Sequence, residues 1–117
     1  MARVSEQTDY WEVLNVMEIP SETLRGMRIS ITGHLSKTRD EVVKIIEDAG
    51  GVFDKAPIYG TRYLLTNGDW SEGSTVQAGA SRKLLKAQEL GVRVIGEKAF
   101  IDLICDRVKK LEQERNA

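Results

Sequence analysis

Apolar and polar positions change their spacing several times along these 117 residues, and each change marks an element. Met27, Ile29 and Ile31 alternate with Arg28, Ser30 and Thr32, the period of two that a half-buried strand shows. From residue 38 the period lengthens. Thr38-Arg39-Asp40-Glu41 fits a capping box, Val42, Ile45, Ile46 and Ala49 form a helical stripe, and Gly50-Gly51 stops it. Gly51 to Phe53 suits a short second strand and Tyr63-Leu64-Leu65 a third. Ser81 can cap a second helix with Leu84, Leu85, Ala87 and Leu90 inward, ended by Gly91. Val92, Val94 and Ile95 read as a fourth strand. Phe100, Ile101, Ile104, Val108 and Leu111 stripe a last helix whose charged end is expected to fray.

Ahead of this body, Tyr10, Val13, Leu14 and Met17 follow helical spacing with Trp11 beside them, and Pro20 closes the segment. Residues 8 to 18 therefore predict a short amphipathic helix, docked on the domain or on a neighbour, or helping to grip a ligand. Pro57 and Gly60 mark one loop. Residues 66 to 80 form a longer one, rich in Gly, Ser, Thr and Asn, in which Trp70 either packs back on the body or faces a partner.

The order βαββαβα predicts an α/β domain with a small parallel sheet and helices on both faces, because crossovers between parallel strands are normally helical and right-handed. Ligands of such sheets sit beyond the carboxyl ends of the strands. Ile29-Ser30-Ile31-Thr32-Gly33 runs a strand into a hydroxyl and a glycine just before a helix start, a junction suited to phosphate.

A composition of 41% hydrophobic and 30% charged residues is that of an ordinary globular domain. No apolar run approaches the ~20 residues of a membrane span, and the N-terminus lacks a basic-then-apolar signal, so no membrane partner is expected. Cys105 is the only cysteine, which excludes an internal disulfide and argues against a cysteine-based metal site. The net charge of −1 conceals a division: residues 1 to 23 hold one arginine against five acids, and the remainder sixteen basic against thirteen acidic residues. An acidic leader thus precedes a mildly basic body, compatible with local rather than general binding of a polyanion.

The second helix opens with Arg82 and Lys83 and carries no acid before Glu89. Cations at the positive end of a helix dipole are unfavourable by about 0.3–1 kcal/mol each unless an anion compensates. Either a phosphate does so, or both are solvated side chains whose stems cover apolar surface.

Thr32-Gly33, Gly50-Gly51, Thr61-Arg62-Tyr63-Leu64-Leu65, and Lys83 to Gly91 followed by Val94-Ile95 together resemble a BRCT domain over residues 25 to about 106. The run Thr32 to Glu41 is closest to the branch found in bacterial NAD-dependent DNA ligases and in the large subunit of the eukaryotic clamp loader. The resemblance implies a four-stranded parallel sheet of order 2-1-3-4 flanked by three helices, with the N-terminal helix as an addition. Residues 1-23 would then be the leader, 24-110 the domain and 111-117 a charged tail. It implies no catalytic centre, no cofactor and no metal.

It also implies a phosphate pocket in which Thr32 donates its hydroxyl, Gly33 its backbone N–H, and Arg39 and Lys83 charge-assisted hydrogen bonds. Lys37, Arg82, Lys86 and His34 are secondary DNA-contact candidates. In this branch the phosphate is expected on DNA, notably a 5′ end, whereas other BRCT domains hold phosphopeptides. Phe100 stands where many members carry tryptophan, the loop before Ser81 is longer than in typical ligase copies, and the single copy favours DNA over phosphopeptide.

Each pocket residue has a plainer role open to it: Thr32 ending a strand, Gly33 serving backbone angles, Arg39 pairing with Glu41 or another acid, His34 as a loop residue. Lone His34 and lone Cys105 lie in different elements and no Walker or dinucleotide glycine pattern follows the first strand, so a free-standing enzyme is not expected. The leading expectation is a non-catalytic module binding DNA ends or nicks by a 5′ phosphate, standing alone or as part of a larger ligase, exonuclease or repair protein. The alternative is a protein-interaction module reading a phosphoprotein, or docking a replication or repair protein through Trp70, Trp11 and the acidic leader. Either places the chain inside the cell: in the cytoplasm if bacterial or viral, in the nucleus if eukaryotic.

Overall fold

Strand alternation sorts the side chains of the sheet into two unequal cores, and this division decides where every helix lies. The computed structural model describes residues 11–67 and 82–115. Four helices are described, α1 (Glu12–Asn15), α2 (Arg39–Asp48), α3 (Arg82–Leu90) and α4 (Glu97–Arg115), with strands β1 (Arg28–Ile31), β2 (Val52–Asp54), β3 (Tyr63–Leu65) and β4 (Arg93–Ile95). All pairings are parallel and the sheet order is β2-β1-β3-β4, with Ile29 opposite both Phe53 and Tyr63, and Leu64 opposite Val94. The 2-1-3-4 order and the α/β class expected of the sequence are those observed.

On the larger face Ile29, Ile31, Tyr63, Leu65 and Ile95 meet Val42 and Ile46 of α2 and Phe100, Ile101, Ile104 and Val108 of α4. On the other, Leu64 and Val94 pack with Val92 and with Leu84, Ala87 and Leu90 of α3. Phe100 is completely buried, filling the core position that the sequence assigned it. Ser30 falls on the strand face opposite Ile29 and Ile31, and its buried Oγ has no hydrogen-bond partner among the described residues.

The leader differs from its expected form. Rather than a helix over residues 8 to 18, α1 is a single turn, and residues 1–10 lie outside the described part. Its inward face is Trp11 and Leu14, 1% and 7% exposed, while Val13 and Val16 point outward at 42% and 87%. The Trp11 ring lies against Phe100, centroids 5.6 Å apart and tilted by 47°. Trp11 is therefore not a docking surface for a partner: an indole that buries its area against Phe100 is part of the domain's own core. The loop holding Pro57 and Gly60 is closed by a brace not foreseen, in which the Arg28 guanidinium donates to both Asp54 oxygens (3.2 and 2.7 Å) and Thr61 Oγ1 donates to Asp54 Oδ2 at 2.8 Å.

The segment between α1 and β1 locks beneath the end of α2. Leu24 N–H donates to the Ala49 carbonyl at 2.7 Å, and Gly50, at φ +88°, leaves no room for a side chain because a Cβ would collide with the Ser21 carbonyl. On the other side Arg107 Nε donates to the Thr23 carbonyl at 2.6 Å. The last helix continues to Arg115, whose guanidinium pairs with Glu22 at 3.1 Å. No described helix is long and apolar enough to cross a membrane.

Candidate functional site

At the carboxyl end of β1 the chain turns at Gly33. Thr32 N–H still donates to the Leu65 carbonyl at 2.9 Å, continuing the ladder by one residue, and Thr32 is 9% exposed. Gly33 then takes φ +80°, and a Cβ there would come within 3.1 Å of Asn67 Oδ1. A left-handed residue pressed against a neighbouring loop is a place for glycine. The exposed chain that follows leads into α2 through Thr38, whose side chain accepts from Glu41 N–H at 3.2 Å while Glu41 Oε1 accepts from Thr38 N–H at 3.1 Å. These reciprocal bonds complete the capping box and hold the Glu41 carboxyl below its usual range, the Thr38 backbone contact being the largest cause.

Between Ile31 and Arg39 lies an open groove of about 460 Å³, with Gly33, His34, Leu35, Ser36 and Lys37 along its wall. Ser36 N–H donates to both oxygens of Glu97, at 3.2 Å each, so the middle of the wall is tied to the start of α4. The same carboxylate accepts from Trp11 Nε1 at 2.6 Å.

Lys83 reaches the site from the other face of the sheet. Its Nζ donates to the Ile31 carbonyl at 2.9 Å, across 52 residues of sequence. Burial, and next the positive charge of Arg39, hold its ammonium below the usual lysine range. Among the described residues no carboxylate forms an ion pair with Lys83 or Arg39. Two cations near one groove are relieved by an anion.

The residues expected at the site are thus distributed as follows. Gly33, His34, Lys37 and Arg39 share the groove, and Lys83 stands against its Ile31 end. Thr32 lies at the strand end and is not among the described lining residues. Arg82 and Lys86 are exposed on α3, Lys86 within 3.7 Å of Glu89. Arg39 does not pair with Glu41, whose carboxylate is engaged with Thr38. Ser81 and Trp70 lie outside the described residues. The sequence carries no sign of the roles of Ser36 and Glu97, and it offers Trp11 as a docking residue rather than a partner of this loop; an acid opens the helix at Glu97, but its partners lie 61 and 86 residues away.

A family model, BRCA1 C Terminus (BRCT) domain, matches residues 20–104. The DNA ligase of Mycoplasmopsis synoviae (strain 53) is 39% identical over 84 residues, covering 72% of this chain and 11% of that protein. For the DNA ligase of Campylobacter jejuni subsp. jejuni serotype O:23/36 (strain 81-176) the identity is 34% over 101 residues, covering 82% of this chain and 14% of the ligase. The chain therefore spans about an eighth of the length of these curated relatives, between 11% and 14%. Among solved structures, that of Rad4 BRCT1,2 in complex with an Mdb1 phosphopeptide superposes with a TM-score of 0.56 at 14% identity, over 84% of this chain and 54% of that one. The first BRCT domain of DNA-repair protein XRCC1 superposes with a TM-score of 0.50 at 18% identity, over 76% and 60%.

Proposed function

From a chain that belongs to the BRCT family and resembles segments of DNA ligases, we propose a non-catalytic phosphate-recognition module that holds the 5′ phosphate of a DNA end or nick in replication or repair. One observation carries the reading: Lys83 is brought from α3 onto the Ile31 carbonyl, partly buried, at the end of the groove that Gly33 and Arg39 line. Holding two cations together is unfavourable until an anion joins them.

In this reading Gly33 gives a backbone N–H and Thr32 its hydroxyl, Arg39 forks onto two phosphate oxygens, and Lys83 neutralises the charge. Lys37 and Arg82 reach neighbouring phosphates of the strand, with Lys86 and His34 at the margin. None of these groups forms a nucleophile and base, so the chain positions DNA rather than reacting with it, alone or for a larger ligase, exonuclease or repair protein. Such a module works inside the cell, where DNA ends arise.

The test is a titration of duplex DNA bearing a recessed 5′ phosphate against the same duplex with a 5′ hydroxyl, at low and moderate salt. The phosphate is expected to tighten binding about tenfold or more, the scale of one or two charge-assisted hydrogen bonds. Thr32→Val and Lys83→Ala should shrink that ratio. Equal affinity for both ends contradicts the reading, and tight binding of a phosphopeptide without DNA binding assigns the pocket to the protein-reading alternative.

A further inference from the structure

We propose that Trp11 is a positioning residue for the phosphate loop: through the Glu97 carboxylate its indole N–H fixes the backbone of Ser36, and with it the wall of the groove between β1 and α2. The inference rests on the phosphate reading above. Glu97 is shared by two donors from distant parts of the chain, Trp11 Nε1 at 2.6 Å and Ser36 N–H at 3.2 Å to each oxygen. Hydrogen bonds onto an ionised acceptor are about twice as strong as neutral ones.

Trp11 is held in place to serve this carboxylate. Its ring is 1% exposed and lies on Phe100, three residues along α4 from Glu97. Ser36 in turn stands midway between Gly33 and Arg39, both of which line the groove. The loop is anchored a second time by Thr38 and Glu41, but that anchor belongs to α2 alone. The Glu97 tie joins the loop by hydrogen bonds to the leader segment and to α4.

Without the indole donor the carboxylate has one fixed partner fewer, and the Ser36 contact loses its alignment. The Gly33 N–H and the Arg39 side chain then spread over several geometries, and the phosphate must order them as it binds. By linkage, bound phosphate tightens the docking of Trp11 by the same factor.

Trp11→Phe keeps a ring against Phe100 and removes the donor; Glu97→Gln keeps the side-chain shape and removes the shared charge. Both are compared in the full chain with wild type and Lys83→Ala, using recessed 5′-phosphate and 5′-hydroxyl duplexes, with thermal unfolding recorded for each. The expected result is a folded Trp11→Phe and Glu97→Gln protein whose phosphate-to-hydroxyl affinity ratio falls about fivefold or more, with hydroxyl-end binding unchanged. Folded variants that keep the wild-type ratio while Lys83→Ala loses it overturn the positioning role and leave the pocket reading standing. A wild-type ratio of one overturns both. If Trp11→Phe fails to fold, Glu97→Gln decides; if both fail, the tie holds the fold rather than the loop and the proposal is overturned.

Discussion

Lys83 concentrates the tension in this molecule. Its ammonium is partly buried against the Ile31 carbonyl and feels the charge of Arg39, so the folded state disfavours its charge. Because its pKa falls below the ordinary 10.5, the unfolded chain keeps a proton that the folded one releases between the two values. Stability from this group therefore rises with pH across that window and is a constant cost below it. Under the proposed function, phosphate affinity is expected to run the other way, falling as pH rises through the lowered pKa, since the anion requires the ammonium.

Lys83→Met should abolish both trends while changing stability at neutral pH by no more than about 0.5 kcal/mol, measured by urea unfolding alongside the DNA titration. A large loss of stability would make Lys83 a structural residue instead. The misplaced cation was legible in the sequence because helix first turns have a known preference. That its ammonium ends on the Ile31 carbonyl was not, since the sheet crossing that joins them is a tertiary fact.

At the scale of elements, α2 forms the back of the site and is specified almost entirely by local sequence. Thr38, Glu41 and the stripe of Val42 and Ile46 set its start and its buried face, as the spacing predicted. Thr38→Ala should cost about 1 kcal/mol of global stability, read from the urea midpoint at unchanged slope, because it leaves N-terminal N–H groups without an acceptor. It should weaken phosphate binding too, as Arg39 is the first residue of that helix. The leader was legible only in part. Its amphipathic stripe was seen, but with one turn the inward pair is Trp11 and Leu14, and Val13 of the expected stripe faces outward. Periodicity over so few residues does not fix which face turns inward; packing on Phe100 does.

For the whole molecule, class and strand order could be read because every strand and helix is a short run of distinct period, joined in a sequence that few topologies accommodate. What could not be read are the ties between distant segments: Trp11 to Glu97, Arg28 to Asp54, Arg107 to Thr23. Each depends on geometry that exists only after the sheet has closed, and no local signal encodes it. The same ties make the candidate site a joint product of the body and the leader. Gly33 comes from the β1–α2 connection, Arg39 from the first position of α2, Lys83 from the opposite face, and the loop's position from Glu97 on the last helix.

The measurement that bears most directly on this account is an amide NMR titration of the labelled full chain with a 5′-phosphorylated recessed duplex, subtracted from the same titration with its 5′-hydroxyl twin. The account predicts that the difference concentrates on the amides of Gly33, Ser36, Arg39 and Lys83. No difference between the two duplexes, or one confined to residues remote from these four, would contradict it.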